Sequence, residues 1–495
     1  MYKTLGLTVC VTLFFSCPAA AQSSFVTYPS YHSFVLGMRT AGMGGTGTAF
    51  GRDSAMPWVN PAGVARVEKD NFSMSVNAYV VDTWNSDRFL LSGASGEEDR
   101  AGLGGTKTSI FPTSLSYVFR LDEEANHLLA LSVLVPYQRI RDLHSALPVD
   151  VSETTVGKLT YMESFTIQQY EFGPTYSLKL GMVTLGLSAF FRYVPVEYRQ
   201  FLERLSYTTA GDLSAFPYKT SIDAGSFDLD IVGGVQVGPF LGGFYAGAAV
   251  HSPSIHLLGH YDQQLRRYEG VSQETRIEVE FATVNEDSFE VKTPVWFSVG
   301  IGYQRKKSFA VAIDVSYHLP VSKYSNVSGV EQILMASTDP EVDSVFEARR
   351  VSLDSEQAGV FNVAAGGELY LTPRVVLRAG FFTDFSAVPG IPRRPGEEYL
   401  GRTVVDRFGT TLGVAYEGER GRFQATLAYL YGTGDTAITE LTLTPEGVAD
   451  LYFHRGAMES NTFMFMFSGR IDVATIFATA KAAVKEEMGI LEAGE

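Results

Sequence analysis

Six short turns alternate with long polar excursions along most of this chain, and this spacing constrains its fold. The turns lie at 121–126, 179–182, 238–243, 304–308, 371–374 and 418–421, each flanked by strand-like residues. Six turns join twelve strands, and one further strand at each end makes fourteen. Short turns on one side, longer loops on the other and an even strand count are typical of bacterial outer-membrane barrels. The sequence therefore predicts an all-β fold, a 14-stranded antiparallel transmembrane β-barrel.

Alternating apolar residues in the clearest hairpin, residues 408–431, support this fold. Bulky side chains such as Leu412 alternate there with small or polar ones such as Gly413. Period-two alternation places the two sets on opposite faces, one toward lipid and one toward the lumen. A soluble β-sandwich shows the same alternation but usually has shorter strands. Segments 183–200, 291–303 and 404–417 exceed the roughly nine to eleven residues needed to cross hydrocarbon on a tilt.

The first 21 residues predict export. Lys3 is the basic start, residues 5–15 are apolar, and alanines at 19–21 form the cleavage site. The apolar run is too short for a membrane anchor, and a lipoprotein attached through Cys17 is the less favoured alternative. The chain's two cysteines, Cys10 and Cys17, both lie in this signal. The exported protein, beginning at Gln22, would then have no disulfide.

Composition and motifs argue against several classes of function. No later segment has eighteen consecutive apolar residues, so helical membrane spans are not expected. A net charge of −16 argues against nucleic acid as a partner. Gly42, Gly44 and Gly47 match the spacing of a dinucleotide fingerprint, but no βαβ pattern surrounds them, so no cofactor is expected. The chain also lacks a Gly-x-Ser-x-Gly nucleophile motif.

Histidines are the remaining candidates for a metal or hydrolase site. His256 and His260 are an even number of residues apart, so a regular strand would place them on one face. A metal would need a third ligand, for which His251 or Asp262 is a candidate. The preferred interpretation is that these residues and His318 are rim histidines near an extracellular loop. We therefore predict no metal, no catalytic residue and no enzymatic activity.

Residues 22–67 differ in composition and predict a plug inside the barrel. They are rich in glycine and other small residues, which suit tight folding within a restricted lumen. Asn60 and Pro61 suit a helix start, as cap and first helical residue. The expected organisation is a signal peptide (1–21), an N-terminal hatch or plug (22–67), the barrel (68–471) and a C-terminal tail (472–495).

Two further stretches bear on this organisation. Residues 463–467, Phe-Met-Phe-Met-Phe, are apolar on both faces, which suits a passage for apolar molecules or a wall packed against an internal plug. In the tail, apolar residues recur at helical spacing after a candidate cap, Asp472. This pattern predicts a periplasmic amphipathic helix, which either binds a periplasmic partner or folds under the barrel mouth.

The motif Asn60-Pro61-Ala62-Gly63 resembles the hatch of FadL-type outer-membrane transporters, whose plug carries an Asn-Pro-Ala signature. Stretches 250–253, 293–296, 377–381 and 406–408 are also similar, and the resemblance covers most of the exported chain. It implies passive uptake of hydrophobic small molecules, such as long-chain fatty acids or aromatic hydrocarbons, by a protein surrounded by outer-membrane lipid or detergent. Related barrels in type IX secretion have a similar plug.

Pro136, in the third predicted strand, is the candidate for a lateral opening. Proline cannot donate a ladder hydrogen bond, and a closed barrel has no edge to accommodate it. FadL-type transporters use a kink in their third strand as a lateral gate, so the resemblance implies that role for Pro136. The alternative, which we favour from the sequence, is that Pro136 marks the end of the ladder before a loop at 138–160.

The ligand-binding residues cannot be assigned from the sequence, although Arg378 is a candidate. Alternation places Arg378 in the lumen, where it would hold a carboxylate. The main hypothesis is uptake of hydrophobic compounds. Its rivals are a secretion or surface-attachment protein that uses long loops at 253–292 and 319–355, an outer-membrane hydrolase, and a general porin.

Overall fold

The computed structural model describes most of the exported chain. The described residues are 29–32, 34–67, 69–92, 99–152, 155–208, 213–271, 276–337, 344–389, 403–418, 421–444 and 447–472. The signal peptide and the helical part of the C-terminal tail lie outside these ranges, so both stay predictions.

Eighteen strands of the described chain form one sheet, which closes because β1 pairs with both β2 and β18. The strands are β1 (Asn71–Ser92), β2 (Asp99–Arg120), β3 (His127–Ser152), β4 (Thr155–Leu180), β5 (Val183–Thr208), β6 (Leu213–Phe240), β7 (Phe244–His251), β8 (Ile255–Val271), β9 (Arg276–Glu286), β10 (Trp296–Arg305), β11 (Phe309–His318), β12 (Val321–Ser337), β13 (Val345–Gln357), β14 (Val360–Tyr370), β15 (Val375–Asp384), β16 (Thr403–Glu417), β17 (Gly421–Thr444) and β18 (Gly447–Asp472).

The barrel wall has fourteen strands, as predicted, because four of them are each interrupted once. The pairs β7 with β8, β9 with β10, β11 with β12, and β13 with β14 are each two parts of one wall strand. Neighbouring wall strands pair antiparallel. All six short turns predicted from the sequence join consecutive wall strands. The local signals of turn and alternation were therefore sufficient to count the strands.

Several predicted loops are instead paired strand. The segments 253–292 and 319–355 consist largely of β8 and β9 and of β12 and β13. Their polar residues suggested loops, but polar strands are stabilised by cross-strand pairs such as Glu331 with Arg349, which are directly opposed and form an ion pair. Conversely, residues 291–295, which we expected to begin a strand, leave the sheet, and β10 starts at Trp296.

The two faces of the wall differ as the alternation predicts. Leu412, Val414, Phe463 and Phe467 are more than half exposed on the outer face, whereas Met464 is buried on the inner face. A continuous apolar outer surface suits a lipid environment. None of the described helices is long and apolar enough to cross a membrane.

Residues 29–67, called here the N-terminal segment, pack against the inner face of the wall. The segment contains two short helices, α1 (Arg39–Gly42) and α2 (Met56–Val59), and a 3-10 helix, Pro61–Arg66. The 3-10 helix contacts β4, β5 and β6, whereas α1 contacts β15, β16 and β17. The segment therefore reaches opposite sides of the barrel. Met464 and Met466 belong to an apolar cluster with its Phe34 and Leu36, so the inward-facing methionines of the run at 463–467 line a packed interface.

Candidate functional site

Asn60 joins the N-terminal segment to the wall. Its side-chain oxygen accepts a hydrogen bond from the Ala62 N–H and caps the 3-10 helix, as the Asn-Pro sequence predicts. Its Nδ2 atom lies 3.1 Å from the Val235 carbonyl oxygen of β6 and 3.3 Å from that of Ala248 in β7. Asn60 is fully buried, so one amide satisfies backbone groups on both sides of the interface.

Wall glycines allow this close approach. A β-carbon on Gly234 would lie 2.1 Å from the Asn60 Oδ1 atom, and one on Gly247 would lie 2.0 Å from the Thr48 carbonyl oxygen. Side chains larger than hydrogen would therefore push the N-terminal segment away from β6 and β7. Glycine at these two positions therefore allows the N-terminal segment to pack directly against the wall backbone.

Buried acidic side chains of β11 and β14 also hold the N-terminal segment. Arg39 binds Glu368 of β14 through two hydrogen bonds, of 2.8 and 3.0 Å. The Oδ2 atom of Asp314, in β11, accepts hydrogen bonds from the backbone N–H groups of Gly47 and Thr48. Bidentate arginine–carboxylate contacts fix geometry as well as charge. The segment is thus held by directional bonds in addition to apolar contact.

We expect Asn60→Ala to loosen the N-terminal segment. The substitution would remove the hydrogen bonds that this buried amide donates to the Thr48, Val235 and Ala248 carbonyl oxygens, at a cost of about 1–3 kcal/mol in the free energy of unfolding. Planar-bilayer recordings should then show more frequent ion-conducting events than the unmodified protein. Asn126→Ala is the matched control, because that amide lies in an exposed turn and bonds only Glu124 within the described structure. Equal conductance of the two variants would contradict the anchoring role.

A cavity of about 130 Å³ lies between the N-terminal segment and the wall. Nine aromatic or imidazole rings contribute to its lining: Tyr31, His32, Phe34, Trp58, Tyr137, His251, Trp296, His318 and Phe382. Four of them form a continuous stack. The ring centroids of Tyr31 and His318 are 4.2 Å apart, those of His318 and Trp296 are 4.9 Å apart, and those of Trp296 and His251 are 3.7 Å apart.

The charge of the cavity is neutral to acidic. Asp230 and Asp314 contribute to its lining, and among the described lining residues there is no lysine or arginine. Burial lowers the pKa of His32, an effect that the nearby Asp384 carboxylate opposes. The side-chain amide of Asn362 lies 3.2 Å from the His32 Nδ1 atom and orients this ring.

Interruptions of the wall strands create the cavity. His251 ends β7, Trp296 begins β10 and His318 ends β11, so all three rings lie at breaks in adjacent wall strands. Segment 287–295 leaves the sheet at this level, where the fully buried Arg192 donates hydrogen bonds to the Val291 carbonyl and the Thr293 hydroxyl. The inward position of this segment brings Thr293 and Pro294 to the cavity.

A second irregularity separates β2 from β3. Their ladder pairs Gly104 with His144 and then Ser114 with Leu134, with no pairs between these two positions. The register is the same on both sides of the interruption, which places Pro112 directly opposite Pro136. Neither proline has an N–H to donate. The Leu121 N–H binds the His127 carbonyl in this register, so Pro112 and Pro136 occupy a non-hydrogen-bonded position whose backbone groups point away from each other, toward β1 and β4. A cavity of about 30 Å³ adjoins this stretch, and Phe34 lines both it and the larger cavity.

Comparison with known proteins identifies the architecture. No protein-family model and no curated protein matches the sequence. Among solved structures, a Pseudomonas aeruginosa FadL homologue superimposes with a TM-score of 0.55 and 14% identity, covering 89% of this chain and 99% of that one. The chain has the fold of a FadL-type barrel.

Two toluene transporters share this FadL-type fold. The Pseudomonas putida protein TodX matches with a TM-score of 0.54 and 13% identity over 88% of this chain and 98% of its own. The Ralstonia pickettii protein TbuX matches with a TM-score of 0.51 and 14% identity over 89% of this chain and 99% of its own. Nearly the whole length of each FadL-type structure is therefore represented here.

Two predictions about histidines are wrong, because the FadL-type barrel places these residues elsewhere. His251 and His318 are not on the rim: both are buried beside Trp296. His256 and His260 do not share a face, because a bulge in the pairing of β6 with β8 lies between them. His256 therefore contacts the buried Asp228, whereas His260 is exposed. No group of three metal-ligating side chains occurs among the described residues.

The other sequence candidates lie at identifiable places in the FadL-type barrel. Pro136 does not end the ladder before a loop, because β3 continues to Ser152. Arg378 faces inward, as alternation predicts, and its guanidinium binds Glu368 and Gln424. It does not line either cavity described above. Its role in ligand binding remains a prediction.

Proposed function

We propose that this protein is a bacterial outer-membrane channel for the passive uptake of hydrophobic small molecules. The observation that carries the proposal is the ring-lined cavity enclosed between the N-terminal segment and the wall of a FadL-type barrel. Concave, largely apolar sites with a few convergent polar groups are typical of small-molecule binding. The two toluene transporters that share the fold support the same class of ligand. The protein would act as a channel, without cofactor or catalytic residue.

The cavity favours a single-ring aromatic compound over a long-chain fatty acid. An apolar cavity of about 150 Å³ is known to bind benzene, and the cavity here has about 130 Å³. A fatty-acid carboxylate would need a cation or several hydrogen-bond donors when buried. Asp314, which has no cationic partner among the described residues, would instead repel it. Neutral monoaromatic compounds meet both constraints of size and charge.

The N-terminal segment would act as the hatch that controls passage. It fills the space between opposite sides of the wall, and directional bonds through Asn60 and Arg39 hold it there. A ligand that reaches the cavity therefore meets the hatch on its way toward the periplasm. Movement of the hatch, or passage around it, is required before the ligand can leave. The motif Asn60-Pro61-Ala62-Gly63 would serve as its anchor.

The unpaired stretch between β2 and β3 would provide the exit into the membrane. Pro136 lines the large cavity, and its partner position Pro112 lies in the same interruption. Phe34 lies between the large cavity and the smaller one beside this stretch. A hydrophobic ligand could thus pass from the cavity to the lipid without crossing water. Lateral exit is favourable for such a ligand because its apolar surface stays out of water.

Uptake in whole cells tests the proposed function. Expression in a bacterium that lacks its own channel of this type should raise the rate at which labelled toluene enters the cells. The vector alone is the control, and heat-dependent migration of the purified protein confirms that the barrel is folded. Uptake equal to that of the vector control, with folded protein in the outer membrane, would overturn the proposal.

A further inference from the structure

The cavity contains hydrogen-bond acceptors that uptake of a pure hydrocarbon would not use. The Nε2 atom of His251 and the Nδ1 atom of His318 are buried and have no hydrogen-bond partner among the described residues. Both side chains are more than nine-tenths buried, and both residues line the cavity. Buried polar atoms are normally bonded, so these two nitrogens indicate a missing partner.

The other nitrogen of each imidazole establishes which kind of partner is missing. His251 lies against the backbone carbonyl of Trp58, and His318 against that of Val360, so the N–H of each ring is directed to a carbonyl group. A neutral imidazole has one N–H donor and one lone-pair acceptor. Because the N–H is used on the backbone, the unpartnered nitrogen of each ring is an acceptor. The missing group is therefore a donor.

The two acceptors flank a flat aromatic surface. The rings of His251 and His318 each stack on Trp296, with interplanar angles of 18°. A ligand ring in this cavity contacts the aromatic lining through its apolar part. A hydroxyl group on that ring supplies the donor that the imidazoles lack. The acidic residues Asp230 and Asp314 also disfavour an anionic substituent.

We infer that the cavity selects neutral single-ring aromatic compounds bearing a hydrogen-bond donor, such as a phenolic hydroxyl. This inference rests on the proposed function, since it concerns the same cavity. It differs in the ligand's chemistry: a pure hydrocarbon leaves both the His251 and His318 acceptors unsatisfied, whereas the single hydroxyl of a phenol donates to one of them. In other binding sites, buried polar groups discriminate strongly against ligands that leave them without a hydrogen-bond partner.

A set of ligands of matched size tests the inference. Toluene and phenol have nearly equal volumes, anisole replaces the donor with a methyl ether, and benzoate adds a charge. Two of the chain's three tryptophans, Trp58 and Trp296, line the cavity, so their fluorescence reports occupancy in the full-length protein. Titrations at fixed detergent concentration are corrected for partition into empty micelles. Phenol should bind at least as tightly as toluene and more tightly than anisole, and benzoate should not bind.

Histidine variants identify the source of the preference. His251→Phe and His318→Phe retain a stacking ring. The variant that removes the nitrogen bonded by the hydroxyl should weaken phenol binding by about tenfold, and both variants should leave toluene binding unchanged. His318→Gln, which retains an acceptor, should recover part of the phenol affinity. Heat-dependent migration on electrophoresis shows that each barrel is folded.

The outcomes separate the inference from the proposed function. Tighter binding of toluene than of phenol, or phenol affinity that is unchanged in both Phe variants, would overturn the inference and leave hydrocarbon uptake intact. The first result is expected if water alone occupies the acceptors. Absence of binding by all four compounds to folded protein would count against the cavity as a ligand site, and hence against the proposed function itself.

Discussion

The double variant Ser54→Cys/Ser114→Cys should lose toluene uptake when its disulfide forms and regain uptake on reduction. Ser54 lies in the N-terminal segment and Ser114 in β2, and their hydroxyl oxygens are 2.9 Å apart. Two β-carbons that carry touching oxygens are close to the separation of about 3.5–4.5 Å that a disulfide needs. The bond would tie the N-terminal segment, the proposed hatch, covalently to the wall. If the ligand can pass only when the hatch moves, uptake should fall to the rate of cells without the protein.

No other cysteine is expected to interfere with this disulfide. Both natural cysteines lie at positions 10 and 17, within the predicted signal peptide, so the engineered pair would be the only thiols of the exported protein. The oxidising periplasm promotes formation of the bond, and mass spectrometry of the intact protein measures its extent.

A matched control distinguishes hatch movement from a general effect of cross-linking. Thr83 in β1 and Thr106 in β2 are directly opposed, and their hydroxyl oxygens are 3.3 Å apart on the exposed surface. Thr83→Cys/Thr106→Cys therefore joins two wall strands without touching the N-terminal segment, and its uptake should be insensitive to oxidation. Unimpaired uptake by fully oxidised Ser54→Cys/Ser114→Cys would show that the ligand passes without displacement of this part of the hatch.

The sequence predicted the features of the fold that local patterns determine. Turn residues and period-two alternation gave the strand count and the outer face, as in the hairpin at 408–431. The capping role of Asn60 was also predictable, because the cap and the first helical residue are adjacent in the chain. The prediction of loops where β8, β9, β12 and β13 occur was wrong. The hydrogen bonds and ion pairs that stabilise a polar strand come from partners distant in sequence.

The site depends on relations between strands, which a single sequence does not display. His251, Trp296 and His318 are separated by 45 and 22 residues in the chain, and only the register of β7, β10 and β11 brings their rings together. Pro112 was overlooked for the same reason, because its significance appears only when Pro136 is found opposite it. The similar stretches at 250–253 and 293–296 were the available signal, as both adjoin the cavity.

Replacing both prolines, Pro112→Val/Pro136→Val, should close the wall between β2 and β3 and slow toluene uptake. The substitutions remove two rings that fix φ at about −65°, so β2 and β3 can take the regular extended backbone needed to continue a ladder whose register is the same on both sides. Valine also favours extended backbone. Each new hydrogen bond stabilises the barrel by about 1 kcal/mol, so the thermal unfolding temperature should rise as uptake falls. Hydrogen exchange at residues 105–113 and 135–143 measures whether the ladder has formed.

A proline inside a paired ladder provides the control for this variant. Pro195 in β5 is opposite Gly225 in β6, within an uninterrupted series of pairs. Pro195→Val should therefore leave uptake unchanged, because β5 and β6 are already paired at this position. If exchange between β2 and β3 becomes protected in the double variant while uptake stays at its original rate, the ligand does not leave through this stretch. The unpaired segment would then be a structural irregularity, and the route would have to pass the hatch into the periplasm.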